Sequence, residues 1–267
     1  HFIYMRHDMA HLMTKSRSEN DFHNIIGIKH WYDGSPYIGS MYITDPYLAT
    51  ELTLNKLDIH AGTRGEALIS EESLREFISS YHTGGWQIAI HTQGDAAIEE
   101  VVDAYESLDG QLDFSQSRHR LEHCLLLPNS ELNAMKRLNL TPSFHINHLH
   151  YYGDELMEDI LGEERAAGIL PIQSTFEKDI ISTLHADQPM FESRPFRLIQ
   201  SAVERTTKEG MVIGEEEKIT LLEAIKSLTL YAAWQINMED QLGSVVKWKY
   251  ADFIIQDWDP FTTALTV

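Results

Sequence analysis

The chain has 267 residues, with 21 basic against 41 acidic side chains and 43% hydrophobic residues. That is enough to bury a sizeable core and excludes disordered and collagen-like classes. A formal net charge of -20 repels phosphate backbones and anionic lipid surfaces, so neither nucleic acid nor a membrane is expected as a partner.

Cys124 is the single cysteine, so an intramolecular disulfide scaffold is excluded and a reducing, cytoplasmic setting is the expectation. No stretch approaches the roughly 18 apolar residues of a membrane span. The first residue is His1 rather than methionine, which suggests a processed or truncated chain.

Residues 24–32, NIIGIKHWY, form an apolar run closed by Asp33-Gly34-Ser35-Pro36, the pattern of a buried strand and its loop. A loop-rich stretch then reaches Gly65. Ser70 is placed to cap a helix with Glu71 and Glu72 in its first turn and Leu74, Phe77, Ile78 and Tyr81 on one face, stopped by Gly84-Gly85. WQIAIH (86–91) reads as a second strand, and Ile98, Val101, Val102 and Tyr105 mark the next helix.

HRLEHCLLL (119–127) reads as a third strand, Leu132, Met135 and Leu138 as a helical stripe, and LTPSFHI (140–146) as a fourth strand. A helix is expected near 154–167, then a fifth strand in IISTLHAD (180–187) and a helix opened by Pro195 that carries Phe196, Ile199 and Val203. Such alternation implies βα units around a parallel sheet. Thr220 and Glu223 make a capping box for a helix reaching about Asn237, and GSVVKWKYADFIIQDWDP after it reads as two short strands.

In α/β sheets and barrels the chemistry sits at the carboxyl ends of the strands. Lys29, His91, His123, His145 and Asp187 each end one of the five runs, and histidine and carboxylate converging from separate strands suit a divalent metal. Singly, each has a bland reading as a hydrogen-bonded rim residue or helix cap; their recurrence weighs against it. Arg120 and Glu122 are expected on the opposite strand face from His123, as a structural ion pair. His145, His148 and His150 invite reading as a separate metal cluster, but pocket lining is preferred, with the residues after His145 on a loop. No G-x-G-x-x-G or P-loop is present, so nucleotide cofactors have no support.

K-x-x-x-D-G at Lys29 to Gly34, H-x-x-G-D-A-A at His91 to Ala97, R-x-E-H at Arg120 to His123 and H-A-D-x-P at His185 to Pro189 together resemble the YtcJ-like branch of the amidohydrolase superfamily. PSFHINHLHYYGD and the tail segment resemble it too, and the blocks run in order from about residue 24 to 260.

The resemblance implies an α/β fold, part of a metal-dependent-hydrolase (β/α) TIM barrel. Residues 1–236 would supply about five of eight βα units and residues 237–267 the C-terminal remnant of a small β-sandwich. It implies one or two divalent metal ions, zinc foremost, with Lys29 as a carbamylated bridging ligand, His91 and His123 as histidine ligands, and Asp187 as ligand and general base. His145, His148 and Asp154 match a motif assigned to substrate contact.

The family's H-x-H pair on the first barrel strand has no counterpart before Lys29, since His1, His7, His11 and His23 lack the spacing. The chain therefore reads as a C-terminal half whose metal is retained or absent accordingly. A homo-oligomer, or association with a missing N-terminal half, would cover its open edges. The implied activity is hydrolysis of a non-peptide, amide-type carbon–nitrogen bond in a small molecule by metal-activated hydroxide. The alternative is a catalytically inactive fragment or binding module.

Overall fold

Six short runs of chain pair in sequence order into one parallel sheet, β1 (Phe2–Arg6), β2 (Asn24–Trp31), β3 (Gln87–Thr92), β4 (Arg120–His123), β5 (Thr141–Phe144) and β6 (Thr183–Leu184). The computed structural model describes residues 2–12 and 24–262. His1, His23 and the last residues of the tail, all named above, lie outside them. Each strand pairs only with its sequence neighbours, so β1 and β6 form the edges and the sheet does not close.

Parallel strands need both faces covered, which selects continuous apolar runs over alternation. Ile88, Ala89 and Ile90 of β3 are each at most 1% exposed. Helix α1 (Glu71–Thr83) begins where expected, with the Ser70 side chain accepting from the Ser73 N–H, a cap of about 1 kcal/mol. Its buried Leu74, Phe77 and Ile78 each contribute about 1.5–3 kcal/mol of apolar burial. Helix α2 (Asp95–Leu108) packs beside α1 and buries Ile98, Val101, Val102 and Tyr105.

Helices α3 (Leu132–Arg137), α4 (Asn147–Glu155), α5 (Glu163–Ala167), α6 (Ile172–Glu177), α7 (Pro195–Glu204), α8 (Leu221–Leu228) and α9 (Leu230–Gln235) complete the covering layer. The capping box forms at α8, with Thr220 and Glu223 bonding reciprocally.

Four expectations are corrected. Strand β1 was not foreseen: five residues mixing Arg6 with apolar neighbours carry too short a pattern, and the strand is recognisable only from its pairing with β2, Arg6 opposite Lys29. Among the described residues there are thus six parallel strands, not five. Strand β4 ends at His123 rather than running to 127, because His123 (φ 76) and Cys124 (φ 50) turn into the left-handed region. The helix expected from 154 starts at Asn147, since His145 already closes a turn, its carbonyl accepting from the His148 N–H at 3.2 Å. It continues through a π turn, Leu156–Ile160, and breaks at Gly162. Finally, no strand forms among the described residues after Asn237. Val245, Trp248 and Ile255 are 82%, 87% and 88% exposed, and the segment has no neighbouring strand to take its backbone hydrogen bonds.

No helix among the described residues is long and apolar enough to cross a membrane.

Candidate metal centre

Two of the recurring motifs turn out to be one scaffold. Asp33, fully buried after β2, accepts the backbone N–H groups of Tyr42, Gln93 and Gly94 at 2.9–3.2 Å. Gly94 begins α2, and a Cβ there would stand 1.8 Å from the Tyr42 carbonyl oxygen. The D-G and G-D pairs are therefore required by loop closure and close backbone approach. Burial raises the Asp33 carboxyl to about 7 against these N–H bonds.

That scaffold aims His91. Its Nε2 lies 3.1 Å from the Gly34 carbonyl and 3.6 Å from Asp33 Oδ1. A carbonyl only accepts, so Nε2 carries the proton and Nδ1 keeps its lone pair. The His91 ring lies 4.3 Å from that of His123, measured between centroids. His123 in turn meets His185 at 5.0 Å and His145 at 5.8 Å, and His145 meets His148 at 4.1 Å. Four imidazoles from successive strand ends and a fifth, His148, from the first turn of α4 thus form one contiguous cluster.

Burial is the leading cause in every case of an imidazole held neutral. His91 and His185 are lowered to about 3, His145 to about 2, and His123 and His148 well below the usual range. Neighbouring positive charge adds to this: Lys29 acts on His91, and Arg120 then Lys29 act on His185, while a hydrogen bond to the Ser143 backbone opposes it. Neutral imidazole is the metal-binding form.

Lys29, from β2, is partly buried as a residue, but its Nζ is buried and has no hydrogen-bond partner among the described residues. Desolvation lowers it to about 8, opposed first by Glu122. His123 Nδ1, His148 Nε2 and His185 Nε2 are likewise buried without partners, a concentration that costs about 1–3 kcal/mol per group unless something else satisfies them. Asp187 is exposed, in a left-handed conformation (φ 52), and desolvation raises its carboxyl while Lys29 pulls it back.

Lys29, Glu122, His123, His185 and Asp187 line one cavity of about 320 Å³. Donor atoms of His123, His185 and Asp187 lie within 4.8 Å of one another, as do those of His123, His145 and His148.

The structure therefore brings Lys29, His91, His123, His145, His148 and Asp187 together, and adds His185, a member of the H-A-D-x-P motif that the sequence did not assign to the site. Its signal was available: it sits two residues before Asp187, the spacing of one strand face. Asp154 is not part of the cluster; on α4 it accepts from Thr207 Oγ1 at 2.9 Å. Arg120 and Glu122 do pair, Nε to Oε1 at 2.7 Å, but they line the same cavity as His123 rather than the opposite face. The left-handed turn at His123 breaks the strand alternation that the expectation assumed. His148 sits in a helical turn, not a loop, and His150 is apart, its Nδ1 donating to the Thr206 carbonyl. His7 packs on His30, Phe77 and Tyr81, so no histidine of the described residues before Lys29 joins the cluster.

The family model described as "Amidohydrolase family" matches residues 4–265. Protein LONG AFTER FAR-RED 3 of Arabidopsis thaliana is 27% identical over 240 residues, covering 88% of this chain and 40% of that protein. The putative amidohydrolase YtcJ of Bacillus subtilis is 29% identical over 207 residues (74% of this chain, 37% of that one). The N-substituted formamide deformylase of Arthrobacter pascens is 25% identical over 210 residues (77% and 38%). Among solved structures, an uncharacterized metal-dependent hydrolase from Pyrococcus furiosus superposes with a TM-score of 0.79 at 23% identity, covering 97% of this chain and 51% of that one, which shows a shared fold. The chain thus spans about two-fifths of the length of these curated relatives. With the match running through the strand-end cluster from end to end, the chain belongs to the amidohydrolase family.

Proposed function

We propose that this chain carries the metal-binding portion of a hydrolase that opens a non-peptide carbon–nitrogen bond of the amide type, acting with further strands that complete the barrel. The observation that carries the reading is the set of buried, partnerless nitrogens of Lys29, His123 and His185 facing one cavity with the Asp187 carboxyl. Neutral imidazoles beside a carboxylate are the donor set of zinc-class cations, so the residues fit the metal that the family implies.

Lys29, His91, His123 and Asp187 would hold the metal, with His185 added to them. A divalent cation there would polarise a carbonyl oxygen and lower the pKa of water beside it. With burial lowering it to about 8, the Lys29 amine exists partly unprotonated near neutrality. In that form it would add carbon dioxide and release a proton, giving a carbamate that would serve as an anionic ligand for the metal. Asp187, its carboxyl raised by burial, takes the proton from the attacking water and hands it to the departing nitrogen. The Arg120–Glu122 pair holds the cavity floor in place and fixes the charge around Lys29.

The formamide deformylase relative supports N-formyl and related amides as the first substrates to screen. Residues 237–267 are read as part of a second, small β domain, and the open edges at β1 and β6 as the surface met by a second copy or a complementary segment.

The test is metal content by plasma mass spectrometry, with an amide and N-formyl amine screen. Stoichiometric zinc-class metal in the wild type, lost in His123→Gln, is the expected result. A wild-type protein that stays metal-free after incubation with zinc would overturn the reading in favour of a non-catalytic binding module.

A further inference from the structure

The cluster holds two three-donor sets that share one residue. His123, His185 and Asp187 form the set that faces Lys29 across the cavity. His123, His145 and His148 form the other, which leads off the end of β5 into the first turn of α4. Building on the metal-dependent reading, we infer that His123, His145 and His148 constitute a second zinc-class site that competes with the first for His123, so that one ion has two resting positions.

The geometry of the second set is that of a prepared ligand cage rather than of core packing. The three rings are 5%, 0% and 1% exposed, and His145 and His148 are fixed one above the other by the helical turn between them, 3.2 Å from N–H to carbonyl. Tyr37 Oη lies 2.5 Å from His148 Nδ1. The tautomer that a metal at Nε2 requires has Nδ1 donating to that oxygen, and Nε2 is buried with no partner among the described residues. Such an outer hydrogen bond orients metal-ligating histidines.

A buried histidine used only for packing looks different here: His119 accepts the Ile88 N–H at Nδ1 and pairs with His82 at Nε2. Three neutral nitrogens without a carboxylate select zinc-class cations over magnesium or calcium, which take oxygen ligands. A neutral imidazole offers one lone pair, so His123 serves one set at a time.

The experiment is zinc affinity of the full 267-residue chain, by competition with a chromophoric chelator. Wild type is compared with His185→Gln/Asp187→Asn, His145→Gln/His148→Gln, the four substitutions combined, and His123→Gln. Both double variants are expected to keep one zinc per chain, and the combined variant and His123→Gln to keep none. Loss of zinc from His185→Gln/Asp187→Asn overturns the second site while leaving the first standing. So does retention of zinc in that variant when His145 and His148 are also replaced. A wild type without zinc overturns both readings. Tyr37→Phe provides a gentler arm that tolerates folding failure of the histidine variants. It is expected to weaken zinc binding about 10–100-fold in the His185→Gln/Asp187→Asn background, and an unchanged affinity there overturns the inference.

Discussion

The two ends of the sheet both bury histidine and amide side chains, but they handle them in opposite ways. At the amino ends of the strands every group named here has a partner. Gln87 donates to the carbonyls of Arg118 and Gln235 at 2.6 and 2.7 Å. Gln235 donates to Thr141 Oγ1 at 2.9 Å and accepts from Thr183 Oγ1 at 2.8 Å, and His119 is used at both nitrogens. At the carboxyl ends, Lys29 Nζ, His123 Nδ1, His148 Nε2 and His185 Nε2 are buried and partnerless among the described residues. A satisfied polar network fixes strand register and rigidifies the fold. An unsatisfied one lowers stability and is retained where a ligand completes it. The difference separates scaffold from site without reference to residue type, because histidine occurs in both.

The comparison breaks most plainly on Gln235. Gln235→Ala removes three buried hydrogen bonds, those of its amide with Thr141 Oγ1, the Pro142 carbonyl and Thr183 Oγ1, and is expected to cost about 3 kcal/mol in denaturant unfolding while leaving zinc content unchanged. A change in metal content would join the two ends and refute the division.

Zinc should act at the other end alone. Added at a hundredfold excess over its Kd, it is expected to stabilise the wild type by about 2.7 kcal/mol, read as a rise in melting temperature, and to leave His123→Gln unaffected.

A matched pair sharpens the contrast further. His119→Leu removes the acceptor of the Ile88 N–H and is expected to cost about 2 kcal/mol. In metal-free protein His145→Leu should cost less than about 1 kcal/mol or stabilise, since an apolar side chain there relieves desolvation. Equal losses at both positions would show the carboxyl-end cluster to be ordinary packing.

Per pH unit, acid should reveal the smallest effect. Burial, then His82, lowers His119 to about 3 from 6.5. Between these values the unfolded chain takes up a proton that the folded chain refuses, so stability is present above pH 6.5 and is lost as pH falls toward 3. This one group adds about 1.4 kcal/mol per pH unit to the slope. In His119→Gln the slope of unfolding free energy against pH below 6.5 should flatten by that amount; an unchanged slope would show His119 to be protonated in the folded protein.

Much of the scaffold was legible from local pattern. The runs around Ile88 and Phe144, the Ser70 cap and the Thr220–Glu223 box are decided by neighbours within four residues, and their periodicity is written in the chain. The positions of Lys29, His91, His123 and Asp187 at or beside strand ends were legible for the same reason.

What lay beyond local pattern were features that depend on distant partners or on backbone turns. Strand β1 exists because β2 is beside it, and the tail stays irregular among the described residues because no strand lies beside it. His185 and Glu122 enter the cavity with Lys29, and Asp154 leaves it for Thr207.

The sequence by itself determined that an α/β chain of alternating units would set histidines, a lysine and an aspartate along one rim, since hydrophobic periodicity and motif order are properties of adjacent residues. Only the tertiary structure decided which of those residues meet, which face Glu122 takes beyond the left-handed turn at His123, and which buried nitrogens lack partners. Those outcomes are set by contacts between residues 30 to 160 positions apart, whose free energy no local window contains.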